Sequence, residues 1–139
     1  MRQVLIAACW LLFPNGFCLA QFPNSVICKF EKIAIAEVNE DGKILVGSQG
    51  SSGDLVISEL NSEAPLGTGN VYTTRFRVLK RSKDTIWLTE ESSDASVVII
   101  TLFFKTGIVM HTKHELLHTV SDGEKPFGFV EIGRFRTLK

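Results

Sequence analysis

The feature that most limits how this chain can fold is the short, regular recurrence of turn-forming clusters. They fall at Asn39-Glu40-Asp41-Gly42, Gly47 to Gly53, Pro65 to Asn70, Arg81 to Asp84, Ser92 to Asp94, Lys105 to Gly107 and Ser121 to Pro126. Val, Ile, Phe, Thr and Trp fill the intervals. β-Branched and aromatic side chains suit a pleated surface, whereas Gly, Asn and Asp supply turn dihedrals. The spacing predicts an all-β fold, a small antiparallel meander of about seven or eight strands closed as a barrel or folded as a two-layer sandwich.

Individual strands follow from the pattern between the turns. Over Val71 to Lys80, Tyr72, Thr74, Phe76 and Val78 alternate with Thr73, Arg75 and Arg77, so one face is dry and one is wet. Thr85 to Glu90 comes next, and Ala95 to Phe104 is apolar on both faces, as in a central or sandwiched strand. Phe104-Lys105-Thr106-Gly107 predicts a tight hairpin that returns through Ile108 to Leu116, with Gly107 at positive φ. A last strand fits Phe127 to Arg136. The inward or interlayer positions should include Tyr72, Phe76, Val78, Leu88, Ile99, Thr101 and Phe103. Ser25 to Val38 is expected to be a strand, although Val26, Ile27, Phe30, Ile33, Ala34 and Val38 also keep helical spacing behind a capping Asn24 or Ser25. Gly47 to Gly53 is expected to be a mobile loop.

The first twenty residues resemble a cleaved export signal. Arg2 supplies the positive charge, Val4 to Phe13 the apolar run, and Cys18-Leu19-Ala20 the small residues before a cleavage point at Gln21. Pro14-Asn15-Gly16 stops the run short of the roughly 20 residues a spanning helix needs. The expectation is a signal peptide over residues 1–20 and a single β domain over residues 21–139, periplasmic or extracellular, with no integral membrane segment after cleavage. The alternative lipoprotein box, Ile6-Ala7-Ala8-Cys9, leaves almost no hydrophobic region ahead of its cysteine.

Charge and cysteine usage narrow the function classes. Without residues 1–20 the chain keeps 14 basic and 15 acidic side chains, with no long block of one sign, which argues against nucleic acid or anionic lipid bound by bulk electrostatics. Cys9 and Cys18 leave with the signal. The remaining Cys28 has no internal disulfide partner, and Val26, Ile27 and Phe30 around it predict a packed, inert thiol.

His114-Glu115-Leu116-Leu117-His118 resembles the HExxH signature of zinc metallopeptidases, the zincins, over five residues of 139. In that family the word lies on a helix, where an i to i+4 spacing turns both imidazoles toward one zinc and the glutamate polarises the metal-bound water. The resemblance implies His114 and His118 as metal ligands and Glu115 as general base. Where the metzincin extension has glycine and then histidine or aspartate, this chain has Ser121 and Glu124. Glu124 or Asp122 would be the candidate third ligand. The hairpin at Lys105 to Gly107 instead predicts an extended 108–118 segment, in which four residues span about 13 Å and the two histidines do not share a metal.

Other sites are less distinct. Gly47 to Gly53 lacks the Gly-Lys-Ser/Thr ending of a phosphate loop, and no nucleophile elbow occurs. Arg75, Arg77, Lys80 and Arg81 read as the solvated face of a strand guarded against edge pairing, or as a patch for a sugar, polyanion or acidic partner. Trp87 reads as a core or rim aromatic, or as the lining of a ligand cavity. The expectation is a binding or interaction module for an unknown ligand or protein, with no cofactor and no nucleic acid. The alternative is a small zinc-dependent metallopeptidase built on the 114–118 word.

Overall fold

A computed structural model describes residues 22–39, 41–70, 72–90, 96–119 and 123–138, with side chains given outside residues 116–125. Nine strands order these residues: β1 (Val26–Val38), β2 (Ile44–Gly50), β3 (Asp54–Ser58), β4 (Leu66–Gly69), β5 (Thr73–Arg81), β6 (Thr85–Glu90), β7 (Val97–Phe103), β8 (Ile108–Thr119) and β9 (Gly123–Thr137). The fold is all-β. Each strand pairs antiparallel with its neighbour, and β9 returns to β1, closing an eight-stranded barrel to which β2 is added. Of the two architectures the sequence allows, the chain adopts the barrel. No helix among the described residues is long and apolar enough to cross a membrane. The leader expected over residues 1–20 lies outside the described residues.

β1 is the strand on which the wall is built. One edge pairs with β9 from Val26↔Thr137 to Glu37↔Phe127, with an irregularity between Phe30 and Lys32. Its other edge is shared, with β3 beside Val26 to Lys29 and β2 beside Lys32 to Val38. Where β1 meets β9, Gly133 is obligatory, because a Cβ there would lie 2.0 Å from the Lys29 carbonyl oxygen and 2.7 Å from Phe30 Cα. Ser25 to Val38 is thus a strand rather than a helix. The pairing edges of β9 and β3 outweigh its helical spacing.

Three expectations are corrected. Gly47 to Gly50 is not a loop but the second half of β2, pairing residue for residue with Ile35 to Lys32. A ladder needs only backbone groups, so weak strand formers join it when a long partner strand is already in place. Likewise Leu66–Gly69, inside a stretch expected to turn, is β4, and Gly67 leaves room for the Phe76 ring. On β7 the inward residues are Val98, Ile100 and Leu102, each at most 4% exposed, rather than Ile99, Thr101 and Phe103. A strand apolar on both faces carries no alternation signal, and its cross-strand register fixes the facing, with Ile86↔Leu102, Leu88↔Ile100 and Leu102↔Val109.

One apolar cluster fills the interior. Phe30, Val109, Leu102 and Ile86 follow one ladder row through Gly133, and Val26, Ile57, Cys28 and Leu55 belong to the same buried cluster. Phe104 packs on Phe22 and Phe135 with ring centroids 4.6 and 5.2 Å apart and stops the lower end. Burial in this core pushes the Cys28 thiol up to about 12, so the thiolate that would react is scarce. Phe76 and Leu88 are buried as expected, and Val78 packs on the core from a partly buried position. Tyr72, expected to face inward, is instead 46% exposed at the upper rim, where the chain turns from β4 into β5 and its ring lies against Gly69.

The hairpin after β7 forms as expected. Gly107 has φ 67°, and its N–H donates to the Phe103 carbonyl at 2.9 Å. The basic run on β5 has a different role from an edge guard, since β5 is paired on both sides by β4 and β6. Arg75 donates to the Ala64 carbonyl and to Glu59, while Arg81 donates to Glu63 and to the carbonyls of Leu60 and Ser62. These bonds tie the 59–65 connection to the wall. Trp87 points outward at 44% exposure, with Lys80 Nζ 6.0 Å from its ring centroid, so it lines no interior cavity.

Candidate functional site

Two places gather chemistry, both at the end where β1, β2, β8 and β9 run past the rest of the barrel. The first lies inside. Along β8 the inward parity passes from Val109 to His111, Lys113 and Glu115, so an apolar wall turns polar within one strand. His111 faces Glu131 across the β8–β9 ladder, and its Nδ1 lies 2.9 Å from Glu131 Oε2. Ser51, in the link between β2 and β3, donates to Glu131 Oε1 at 2.7 Å. The imidazole sits between Phe30 and Phe129, with centroids 5.6 and 5.1 Å away. The carboxyl of Glu131 is held below the usual glutamate range, chiefly by the hydrogen bond to His111, against an opposing push from burial and with further help from Ser51. Burial raises Tyr72 above the ordinary tyrosine value, with smaller contributions from Glu90 and Glu131.

This cluster contains a serine, a histidine and a carboxylate, but in an order unsuited to acyl transfer. A nucleophilic serine needs the imidazole between itself and the carboxylate. Here the carboxylate is in the middle, Ser51 donates to Glu131, and among the described side chains no imidazole is bonded to the serine to take its proton. The arrangement satisfies buried polar groups where the apolar filling ends. Sequence reasoning missed it because Ser51, His111 and Glu131 meet only once the strand register is known; the available signal was a histidine on the inward parity of a strand that starts with an apolar residue.

The 114–118 word lies on β8, as extended backbone paired with β9 from His114↔Gly128 to His118↔Glu124. Four residues of strand advance about 13 Å, beyond the reach of one tetrahedral metal with ligands near 2 Å. The helical premise of the zincin resemblance is therefore not met. Glu115 forms an ion pair with Lys113 on the inner face, whereas His114 is exposed on the outer one, so the two part company at the first step of the word. The side chains of His118 and Glu124, and Asp122 altogether, lie outside the described residues.

The second place is outside. At the projecting strands, Ala34, Ala36 and Val38 of β1, Ile44 and Val46 of β2 and Gly128 and Val130 of β9 line a trough of about 440 Å³, with His114 and Glu37 also in its lining. Ile44 and Val46 are 74% and 75% exposed. The ladders join these residues into rows, one running Val46, Ala36, Gly128, His114 and Val97, the next Ser48, Ala34, Val130, Thr112 and Ile99. Neither row contains Asp, Glu, Lys or Arg. The next row, Gly50, Lys32 and Ile132, carries the exposed charge of Lys32, and Lys29 lies further along β1, while Arg75 and Arg77 are exposed on β5 across the barrel. Compared with models of known protein families the chain matches none, and it matches no curated protein sequence.

Proposed function

We propose that the chain is an exported binding module, periplasmic or extracellular, and that its contact surface is the outer trough between β2 and β9. The observation that carries this is the pairing of a shaped concavity with side chains left in water: Ile44 and Val46 stand at the rim of a trough floored by Ala34, Ala36 and Gly128. Contiguous exposed apolar surface on a small protein marks a place where something docks. The near balance of 14 basic and 15 acidic side chains after residue 20 favours an apolar or protein partner over a polyanion. Export rests on the charge, apolar run and small residues of the first twenty positions.

The purified native protein is expected to enhance the fluorescence of anilinonaphthalene sulfonate, and Ala36→Arg, at an exposed position on the trough floor, to abolish the enhancement without altering the far-ultraviolet circular dichroism. Absence of enhancement with the native protein, or enhancement equal in the variant, would remove the trough as the contact surface.

A further inference from the structure

We infer that the free edge of β2 takes up an extended peptide segment of a partner protein as an added strand. This names the partner's chemistry for the binding-module reading and rests on that reading, with the edge beside the trough as the point of contact. β2 stands last in the sheet order, outside the closed barrel, and all seven of its residues are exposed. The antiparallel ladder decides which of its backbone groups stay unpaired. Ser51 N–H donates to the Glu31 carbonyl at 3.0 Å and Asn39 N–H to the Lys43 carbonyl at 2.9 Å, and the register between these two pairs is unbroken. Hydrogen-bonded pairs alternate along such a ladder. Leu45, Gly47 and Gln49 therefore bond to β1, and the N–H and C=O groups of Ile44, Val46, Ser48 and Gly50 point away from it. Among the described residues nothing bonds these outward groups. They recur every second residue, about 6.8 Å apart, and another extended backbone presents partners at that interval.

The devices that keep an edge from being paired are missing here. Natural edges carry charge, proline or a bulge. β2, Ile-Leu-Val-Gly-Ser-Gln-Gly, has no charged residue and no proline, and its ladder with β1 lacks the irregularities that interrupt β1–β9 and β5–β6. Gly47 and Gly50 leave space beside the edge, since a Cβ at either would meet nothing within 4 Å. Side chains of an added strand extend the ladder rows, one face beside Ile44 and Val46 and the other beside Leu45. The segment that fits is uncharged and apolar at alternate positions. A second copy of β2 does not fit as well. β2 and β3 follow one another along the same side of β1, so an added strand stands in line with β4, whose Gly69 already faces Leu55. Full antiparallel overlap of two β2 strands, centred on Gly47, carries each copy's β1–β2 connection into that place, whereas a free peptide ends or bends above it.

Fluorescence anisotropy of a labelled heptapeptide of alternating valine and threonine, titrated with the purified protein, tests this. Saturable binding at micromolar protein is expected. Val46→Pro, at a side chain 75% exposed, removes an outward N–H without removing a ladder bond to β1, and should weaken binding about tenfold with unchanged circular dichroism. Val46→Ala keeps that N–H and should bind more tightly than the proline variant. Methylating the amide nitrogens along one edge of the peptide should abolish binding, and along its other edge should leave it intact. A native protein that does not bind the peptide, or a Val46→Pro protein that binds it as tightly, would overturn the added strand. So would sedimentation at twice the chain mass that Val46→Pro abolishes, because the edge would then belong to a second copy. The trough is read separately. Peptide binding without dye enhancement would remove the trough and leave the edge, and dye enhancement without peptide binding would remove the edge and leave the trough.

Discussion

Glu131 sits where the apolar filling of the barrel gives way to polar side chains, and its two oxygens are engaged by His111 and Ser51. These bonds hold its folded pKa below the value of an unfolded glutamate, about 4.3. A depressed acid stabilises the fold wherever it is ionised in both states, and loses that contribution as pH falls through the folded value. Stability from this group is thus complete above about pH 5 and declines on acidification below the unfolded pKa. Glu131→Gln should be less stable near neutrality and show a flatter acid limb, measured as denaturation midpoint against pH. An acid limb as steep as that of the native protein would show that other carboxylates govern it. None of this was visible in the linear sequence, where His111 and Glu131 stand apart, each flanked by residues that fit a strand without any special role. The inert Cys28, by contrast, was legible from its neighbours alone.

β7 shows what a strand's own sequence can and cannot specify. Val97–Phe103 is apolar at nearly every position, so its strand character was plain while its facing was not. The facing comes from the register with β6 and β8, which sets Leu102 opposite buried Ile86 and buried Val109. Ile100→Ala, at a side chain 1% exposed, should cost about 2–5 kcal/mol, whereas Ile99→Ala on the outer face should cost well under half as much. Equal losses in chemical denaturation would mean that both faces are buried in solution. β2 makes the complementary point. Its glycines and serine carry no strand signal, and it exists because β1 is long enough to offer it an edge; propensity is overruled by the partner. The 114–118 word shows the same thing, since five letters fit a helix or a strand and the ladders with β7 and β9 decide, in the direction that the Lys105 to Gly107 hairpin indicated.

At the scale of the molecule, the class and approximate number of elements were legible because turn residues recur so regularly, and closure was not, because it depends on β1 meeting β9. A chain ending at Thr119 keeps eight strands but leaves β1 and β8 with open edges, and it is expected to aggregate rather than fold, read as loss of soluble protein against the full chain. A soluble, cooperatively melting product of that truncation would show that the barrel does not need its seam. The seam also sets an order in time. The first strand waits for the last: Val26 finds Thr137 only after nearly everything between them has been made, and such distant pairing is slow to nucleate. Were the chain exported as proposed, the machinery threading it would handle an unclosed wall until the final strand of 15 residues had followed, and a factor that shields the edge of β1 would protect it during that interval.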